Sequence, residues 1–167
     1  MCKRPAASSA TRWWKSATFD SAGGFVTLLQ RSRLLLAALW AGLLLCVAFV
    51  AAPSAFAALE KAQAGAFVGR LFAQEANLSL AAAVLLMLME RRLARDGQAR
   101  ALTAEFLLPA GALFCTVLGY FALQPLMAAA RAGQGSWSFM SLHAVSFGFY
   151  GLKTLLVLAL AWRSSRA

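Results

Sequence analysis

The chain has 167 residues and a formal net charge of +10, and 61% of its residues are hydrophobic. Its mean hydropathy is +0.68, which is high for a soluble domain, in which about 45–50% of residues are apolar. This length favours a single domain. The Lys and Arg residues stand in short clusters between long apolar runs and form no continuous basic surface, so the composition excludes a nucleic-acid-binding module and indicates an integral membrane protein, with the lipid bilayer as its partner.

The N-terminal segment, residues 1–30, is basic and rich in Ser and Ala, with an aromatic pair at Trp13 and Trp14. This composition predicts a disordered cytoplasmic tail. The transmembrane domain is expected over residues 31–163, followed by a short C-terminal tail over residues 164–167.

Four apolar runs are predicted to be transmembrane helices, because crossing a bilayer takes about 20 mostly apolar residues. They are Leu34–Phe56, Phe72–Met89, Phe106–Ala130 and Ser138–Trp162. The second run is the least complete, since Gln74, Glu75 and Asn77 lie at its start, so it must recruit preceding residues or begin at the interface. The predicted fold class is therefore an all-α membrane protein with four transmembrane helices.

The distribution of Lys and Arg predicts the orientation of these helices. Most of the basic residues precede the first run, separate the second run from the third, or follow the fourth, whereas the opposite side holds only Lys61, Arg70 and Arg131. Both termini are therefore expected in the cytoplasm, and the protein in the cell (inner) membrane. A cleaved signal peptide ending near Ala55–Ala57 is the rival interpretation of the first run, but the run is too long for a typical signal core.

The segment between the first two runs, residues 53–72, contains little loop chemistry after Pro53. On a helical projection its small residues form one narrow stripe. The stripe consists of Ala58, Ala62, Gly65, Gly69 and Ala73. This pattern predicts a short outer amphipathic helix that packs closely through its small residues, is separated from the first span by Pro53 and leads into the second span. The alternative is an Ala-rich linker with chance spacing.

The same segment carries a pattern that resembles the signature of the transmembrane protein 205-like family, a set of membrane proteins that includes a bacterial domain of unknown function. The pattern consists of Pro53, Phe56, Leu59, Ala64, Gly65, Gly69 and Phe72. The segments Gln124–Met127 and Leu142–His143 resemble later motifs, so the resemblance covers Leu34–Trp162. It implies a four-helix membrane protein whose packing motif includes Pro53, Phe56, Gly65, Gly69 and Phe72. It implies little about mechanism, although one eukaryotic branch is associated with resistance to platinum drugs, which suggests export or sequestration.

Polar residues inside the apolar runs share helix faces at helical spacing. We expect these faces to turn inward and form a polar stripe that runs from an outer mouth at Glu75, Gln124 and His143 toward Lys153. The predicted polar stripe consists of Glu75, Tyr120, Gln124, His143, Ser146, Tyr150 and Lys153. Two interpretations remain open: hydrogen bonds that join the helices, worth about 0.6 kcal/mol each, or a path related to transport.

Lys153 is the least ordinary residue of this stripe. It precedes Arg163 by about 15 Å of helix, which places it near the middle of a ~30 Å hydrocarbon core. An unpaired ammonium there costs at least about 2.5–3.5 kcal/mol. Lys153 is therefore expected to pair with a carboxylate, to line a polar cavity or to snorkel toward the interface.

Several chemistries are excluded by what the chain lacks. His143 is the only histidine, which excludes a bis-histidine haem within one chain. Cys2, Cys46 and Cys115 have no C-x-x-C spacing, and no phosphate-binding glycine loop occurs. We therefore expect no catalytic residue, cofactor or metal, and no enzyme; a membrane enzyme that uses His143 with Ser146 lacks an orienting group.

These observations predict an integral membrane protein that acts as a small transporter, an exporter-type protein or an accessory protein through its polar stripe. The alternative is a non-catalytic membrane scaffold or a component of an oligomer. The expected partners besides lipid are a second copy of the chain or another membrane protein, and nucleic acid is not expected.

Overall fold

The structure, a computed structural model, describes residues 10–96, 103–134 and 136–166. All regular structure in these ranges is helical. The elements are α1 (Ala10–Cys46), a first π-helical segment (Val47–Ala51), α2 (Ala52–Ala58), α3 (Lys61–Asp96), α4 (Ala104–Thr116), a second π-helical segment (Val117–Ala122), α5 (Leu123–Arg131) and α6 (Phe139–Ser164).

Four helical stretches are long and apolar enough to cross a membrane. They are Thr27–Ala58, Lys61–Arg95, Ala104–Arg131 and Phe139–Ser164. The prediction of an all-α protein with four membrane-spanning helices is confirmed. The first and third stretches are composite, because each contains two α-helices joined through a π-helical segment.

The N-terminal part of the chain differs from the disordered tail predicted for residues 1–30. Helix α1 begins at Ala10 and continues without interruption into the first membrane-spanning stretch. Extending an existing helix requires no new nucleation, so an Ala- and Ser-containing segment next to a stable apolar helix can remain helical. Residues 1–9 of the predicted tail lie outside the described residues, as does Ala167 at the other end.

The long helices form an up-and-down bundle in which α1 and α4 each contact both α3 and α6. Helices α3 and α6 therefore face each other across the bundle. The apolar core occupies the half of the bundle nearest to the connection between α3 and α4. It is built from Ala37, Trp40, Ala41, Leu44, Ala82, Ala83, Leu86, Ala112, Val157 and Leu160. We call this half the packed end.

Two ion pairs lie beyond the core at the packed end. Arg33 of α1 pairs with Glu90 of α3, and both side chains are buried. Arg163 of α6 donates through Nε and Nη2 to Oε1 of Glu105 in α4, at 3.0 and 2.8 Å. Each ion pair therefore joins two neighbouring helices: α1 with α3, and α4 with α6. We call α1–α3 and α4–α6 the two helix pairs.

Both π-helical segments come just before a proline. The segment Val47–Ala51 precedes Pro53, and the segment Val117–Ala122 precedes Pro125. A proline ring clashes with the carbonyl four residues earlier, and in both cases that carbonyl belongs to the π-helical segment. The wider π-turn accommodates the ring, so Pro53 does not end the first span, contrary to the sequence prediction. The helix instead ends at Ala58, because the backbone of Leu59 is extended at φ −119° and ψ 155°.

The break at Leu59 changes the boundaries in the connecting segment. Helix α2 is the short helix between the first two long helices, whereas residues 61–73, predicted to form an amphipathic helix that leads into the second span, are the first part of α3 itself. Proline is tolerated in the first turn of a helix because it needs no backbone donor there, and Pro53 occupies that position in α2.

Candidate binding cavity

The half of the bundle opposite the packed end is open. At this end, α3 contacts α2 and the first π-helical segment, and α6 contacts α5 and the second π-helical segment. The two helix pairs thus separate toward this end, and a cavity of about 490 Å³ lies between them. Small-molecule sites in proteins typically have volumes of about 300–1,000 Å³. The cavity is therefore of a suitable size for a small organic ligand.

Every residue of the predicted polar stripe lines this cavity. The lining includes Glu75, Tyr120, Gln124, His143, Ser146, Tyr150 and Lys153, together with Phe56, Gly65, Gly69 and Phe72 of the predicted packing motif. Pro53 does not line it and is exposed. Periodicity within each helix predicted which residues share a face, and the bundle brings those faces together around one space.

The deep end of the cavity contains an ion pair between α6 and α3. Nζ of Lys153 donates to Oε1 and Oε2 of Glu75 at 2.7 and 3.0 Å. The two side chains are only 4% and 3% exposed. The ammonium also lies 4.7 Å from the ring centroid of Tyr150. Of the environments expected for Lys153, pairing with a carboxylate beside a cavity is therefore the one observed, and snorkelling is not.

A hydrogen-bond chain extends from this pair to α1. The hydroxyl of Ser79 donates to Glu75, and the indole Nε1 of Trp40 donates to Oγ of Ser79 at 2.9 Å. A buried carboxylate is stabilised when several donors share its charge. Lys153 and Ser79 supply donors from two helices, so the negative charge of Glu75 is well compensated.

Glu75 lies deeper than the sequence indicated. The predicted apolar run begins at Phe72, which places Glu75 near the outer mouth of the stripe. Helix α3 actually begins at Lys61, so Glu75 is about 21 Å along its axis. The polar residues at positions 60, 61, 63 and 70 lowered the hydropathy of this part of the chain and concealed the helix that contains it.

Two other hydroxyls of the stripe bond to backbone carbonyls near the π-helical segments. The Tyr150 hydroxyl donates to the carbonyl of Leu44 at 2.8 Å, and the Ser146 hydroxyl donates to the carbonyl of Gly119 at 2.7 Å. Irregular backbone inside a membrane requires such side-chain partners, because lipid supplies none. These residues therefore support the irregular walls of the cavity as well as lining it.

The glycines of the predicted packing motif have a different role from the one expected. A Cβ atom added at Gly65 or Gly69 would meet nothing within 4 Å, so neither residue permits a close helix contact. Instead, both border the cavity and widen it. The closest contact among the described glycines occurs at Gly119, where an added Cβ would lie 2.5 Å from Cβ of Phe149 on α6. Spacing alone could not tell which small residues face a neighbouring helix.

The mouth of the cavity is basic and aromatic. The guanidinium of Arg131, at the end of α5, lies 4.6 Å from the ring centroid of Phe139, which stacks on His143 at 5.8 Å. Lys61 contributes from the first turn of α3. Among the described residues neither Lys61 nor Arg131 is in an ion pair. Of the described residues that line the cavity, Glu75 is the only acidic one, and it is already paired with Lys153.

Sequence reasoning did not assign Trp40, Lys61 or Arg131 to this site. Trp40 offered a signal, since an indole N–H within an apolar run needs a buried partner. In the sequence, Lys61 and Arg131 predict the orientation of the helices, and Lys61 also takes a polar position of the amphipathic helix, but neither residue is predicted to lie at a binding site. Their place at the mouth depends on how far α3 and α5 extend.

Comparison with known families places the chain in one of them. A family model described as a domain of unknown function matches residues 35–136, which contain most of the first three membrane-spanning stretches and end before α6. Searches of curated proteins and of solved structures found no match. Since the matched region covers more than half of the chain, this four-helix membrane protein belongs to the DUF4149 family.

Proposed function

We propose that the chain is a small transporter or exporter-type membrane protein whose cavity is the chamber that receives the substrate. The observation that carries this proposal is the convergence of every stripe residue on one cavity that is open at one end and closed by buried Lys153 and Glu75 at the other. Ionisable residues inside a membrane are costly, and they commonly mark substrate or ion pathways.

The distribution of hydrogen bonds supports a transport mechanism in which two helix pairs move relative to each other. Within the pair α1–α3 lies the Trp40–Ser79 bond, and within the pair α4–α6 lies the Arg163–Glu105 ion pair. Between the two helix pairs, the side-chain hydrogen bonds of the described residues are Lys153–Glu75 and Tyr150–Leu44.

A rocking motion of the two helix pairs would therefore break few polar contacts. Opening of the packed end would require separation of Lys153 from Glu75, and a substrate that reaches the deep end could compete for either charge. The Lys153–Glu75 ion pair then acts as a latch. It holds the state in which the cavity is open, and its separation permits a state that is open at the packed end. Transporters commonly alternate access by rigid-body movement of two helix groups around a central site.

Flux measurements test this proposal. The purified protein is reconstituted in proteoliposomes, and uptake of a panel of charged and neutral organic compounds is compared with that of protein-free vesicles. Gly69→Leu should abolish flux because it fills the cavity without a clash in the backbone, and Lys153→Met should abolish it by removing the latch. Gly42→Leu is the matched control, because Gly42 is exposed on α1 and an added Cβ there also meets nothing. Flux that Gly69→Leu leaves intact would rule out the cavity as the route.

A non-catalytic scaffold is the second candidate, and the completeness of the hydrogen bonding around Glu75 favours it. Every polar atom of the Trp40–Ser79–Glu75–Lys153 chain has a partner, as expected for groups that only join helices. On α6, Gly148 and Gly151 are exposed with no neighbour, and this surface could accept a second copy or another membrane protein. Stable co-purification of a partner, without flux of any compound, would select this candidate.

We further infer that the chain is a transmembrane protein 205-like member of its family, located in the inner membrane with both termini in the cytoplasm. The first inference is supported by the Pro53–Phe72 pattern, and the second by the basic residues of α1 and of the α3–α4 connection. We also propose that it is not an enzyme and binds no nucleic acid. The Ser146 hydroxyl donates its hydrogen bond to the backbone carbonyl of Gly119, so it is not placed as a nucleophile with His143 as its general base.

A further inference from the structure

The mouth and the wall of the cavity differ in chemistry. The charged lining residues nearest the open end are Lys61 and Arg131, both exposed and both without a carboxylate partner in the part of the chain that the structure describes. The wall between the mouth and the deep ion pair is mostly apolar. It includes Phe56, Val68, Phe72, Met127 and Phe147.

The charge of the cavity is asymmetric along its length. At the deep end the Lys153 ammonium and the Glu75 carboxylate neutralise each other, so the net charge of the lining comes from Lys61 and Arg131. A cationic ligand would be repelled at the mouth and would find no free carboxylate inside. A fully polar anion would leave the phenyl rings of the wall uncovered.

Access to the cavity also has a direction. Phe56, Gly65, Gly69 and Phe147 line the cavity and are exposed, so no other part of the bundle covers these apolar residues. A ligand with an apolar body can therefore enter from the bilayer, while its polar group remains at the level of Lys61 and Arg131.

We propose that this cavity binds single-chain amphipathic anions, with the acidic group at Lys61 and Arg131 and the apolar body against the aromatic wall. The proposal rests on the proposed function, since it names the substrate class of the same chamber. A single chain is favoured because a cavity of about 490 Å³ lies in the lower half of the range for small-molecule sites. Arg131 is well suited to hold the acidic group, because its guanidinium is already supported by the ring of Phe139.

Photolabelling tests the proposal. The full chain in phosphatidylcholine nanodiscs is exposed to decanoate carrying a diazirine near the end of its chain, and in parallel to the decylamine and decanol analogues, and the labelled residues are mapped by mass spectrometry. We expect decanoate to label the cavity wall about tenfold or more above both analogues, the factor expected from one charge-assisted hydrogen bond. Equal labelling by the three head groups would overturn the assignment of an anion.

Matched variants locate the acidic group. Lys61→Gln and Arg131→Gln should each lower decanoate labelling about tenfold. Arg70→Gln should not lower the labelling, because Arg70 is exposed on the same helix as Lys61 but does not line this cavity. A loss of labelling equal in all three variants would show general surface attraction and overturn the proposal.

Two further results would distinguish this proposal from binding of lipid head groups and from transport of another class of substrate. If phosphatidylglycerol in the nanodisc abolishes decanoate labelling, the site takes lipid head groups, and the assignment of a single-chain ligand is wrong. If no amphiphile labels the wall, but the wild-type protein transports another compound and Gly69→Leu abolishes that flux, the proposed substrate class is wrong. The proposed function of the cavity as a transport chamber is then still supported.

Discussion

The ion pair at the deep end of the cavity allows a quantitative prediction for Lys153→Met. The substitution preserves most of the side-chain length but leaves the Glu75 carboxylate, 3% exposed, with the Ser79 hydroxyl as its remaining donor. Breaking a buried ion pair by removing one partner costs about 3–5 kcal/mol of unfolding free energy. For a chain of this length, that corresponds to a fall in Tm of about 6–20 °C.

The assay is thermal unfolding in a mild detergent, with a double-mutant cycle to isolate the pair. Glu75→Gln alone should destabilise the protein comparably, because it leaves the Lys153 ammonium unpaired. The double variant Glu75→Gln, Lys153→Met should recover about 2–3 kcal/mol of the summed loss, since neither charge then remains buried. Arg163→Met is the control: it breaks an ion pair in which Arg163 is 51% exposed, and such pairs contribute about 0.2–1 kcal/mol.

One result would refute this reasoning. If Lys153→Met unfolds at the wild-type temperature or above, the pair contributes nothing, and an apolar side chain is as suitable at this depth as a charged one. A single variant that is strongly destabilised without any recovery in the double variant would point to packing of the Lys153 stem instead of its charge.

Three further perturbations test other parts of the structure. Gly119→Ala should lower the free energy of unfolding by about 1–3 kcal/mol, because the added Cβ would lie 2.5 Å from a side chain of α6. Gly69→Ala should be tolerated, because an added Cβ there meets nothing. Equal effects of the two variants in a thermal unfolding assay would argue against this difference in packing. Trp40→Phe should cost about 1–3 kcal/mol, because it leaves the buried Ser79 hydroxyl without its donor, and an unchanged Tm would show that this bond is dispensable. A reporter active only in the cytoplasm should function when fused after Arg166, and activity of a periplasmic reporter there would reverse the proposed orientation.

The sequence by itself determined the properties that depend on local pattern. The length of an apolar run decides whether a helix can cross a bilayer, so the four spans and the fold class followed from composition along the chain. Helical periodicity decides which residues share a face, so the polar stripe from Glu75 to Lys153 was predicted, and its members do line one cavity.

The tertiary structure alone decided what those faces meet. Gly65 and Gly69 have the spacing of a packing motif but border the cavity, whereas Gly119 makes the close contact, because the helix opposite each residue is set by the bundle and not by spacing. Likewise, Lys153 needed a partner on energetic grounds, but Glu75 became that partner only because α3 begins at Lys61 and carries the carboxylate to the depth of the ammonium. Such pairings join residues far apart in the chain, and their geometry depends on where helices begin, how they cross and where two helix pairs separate.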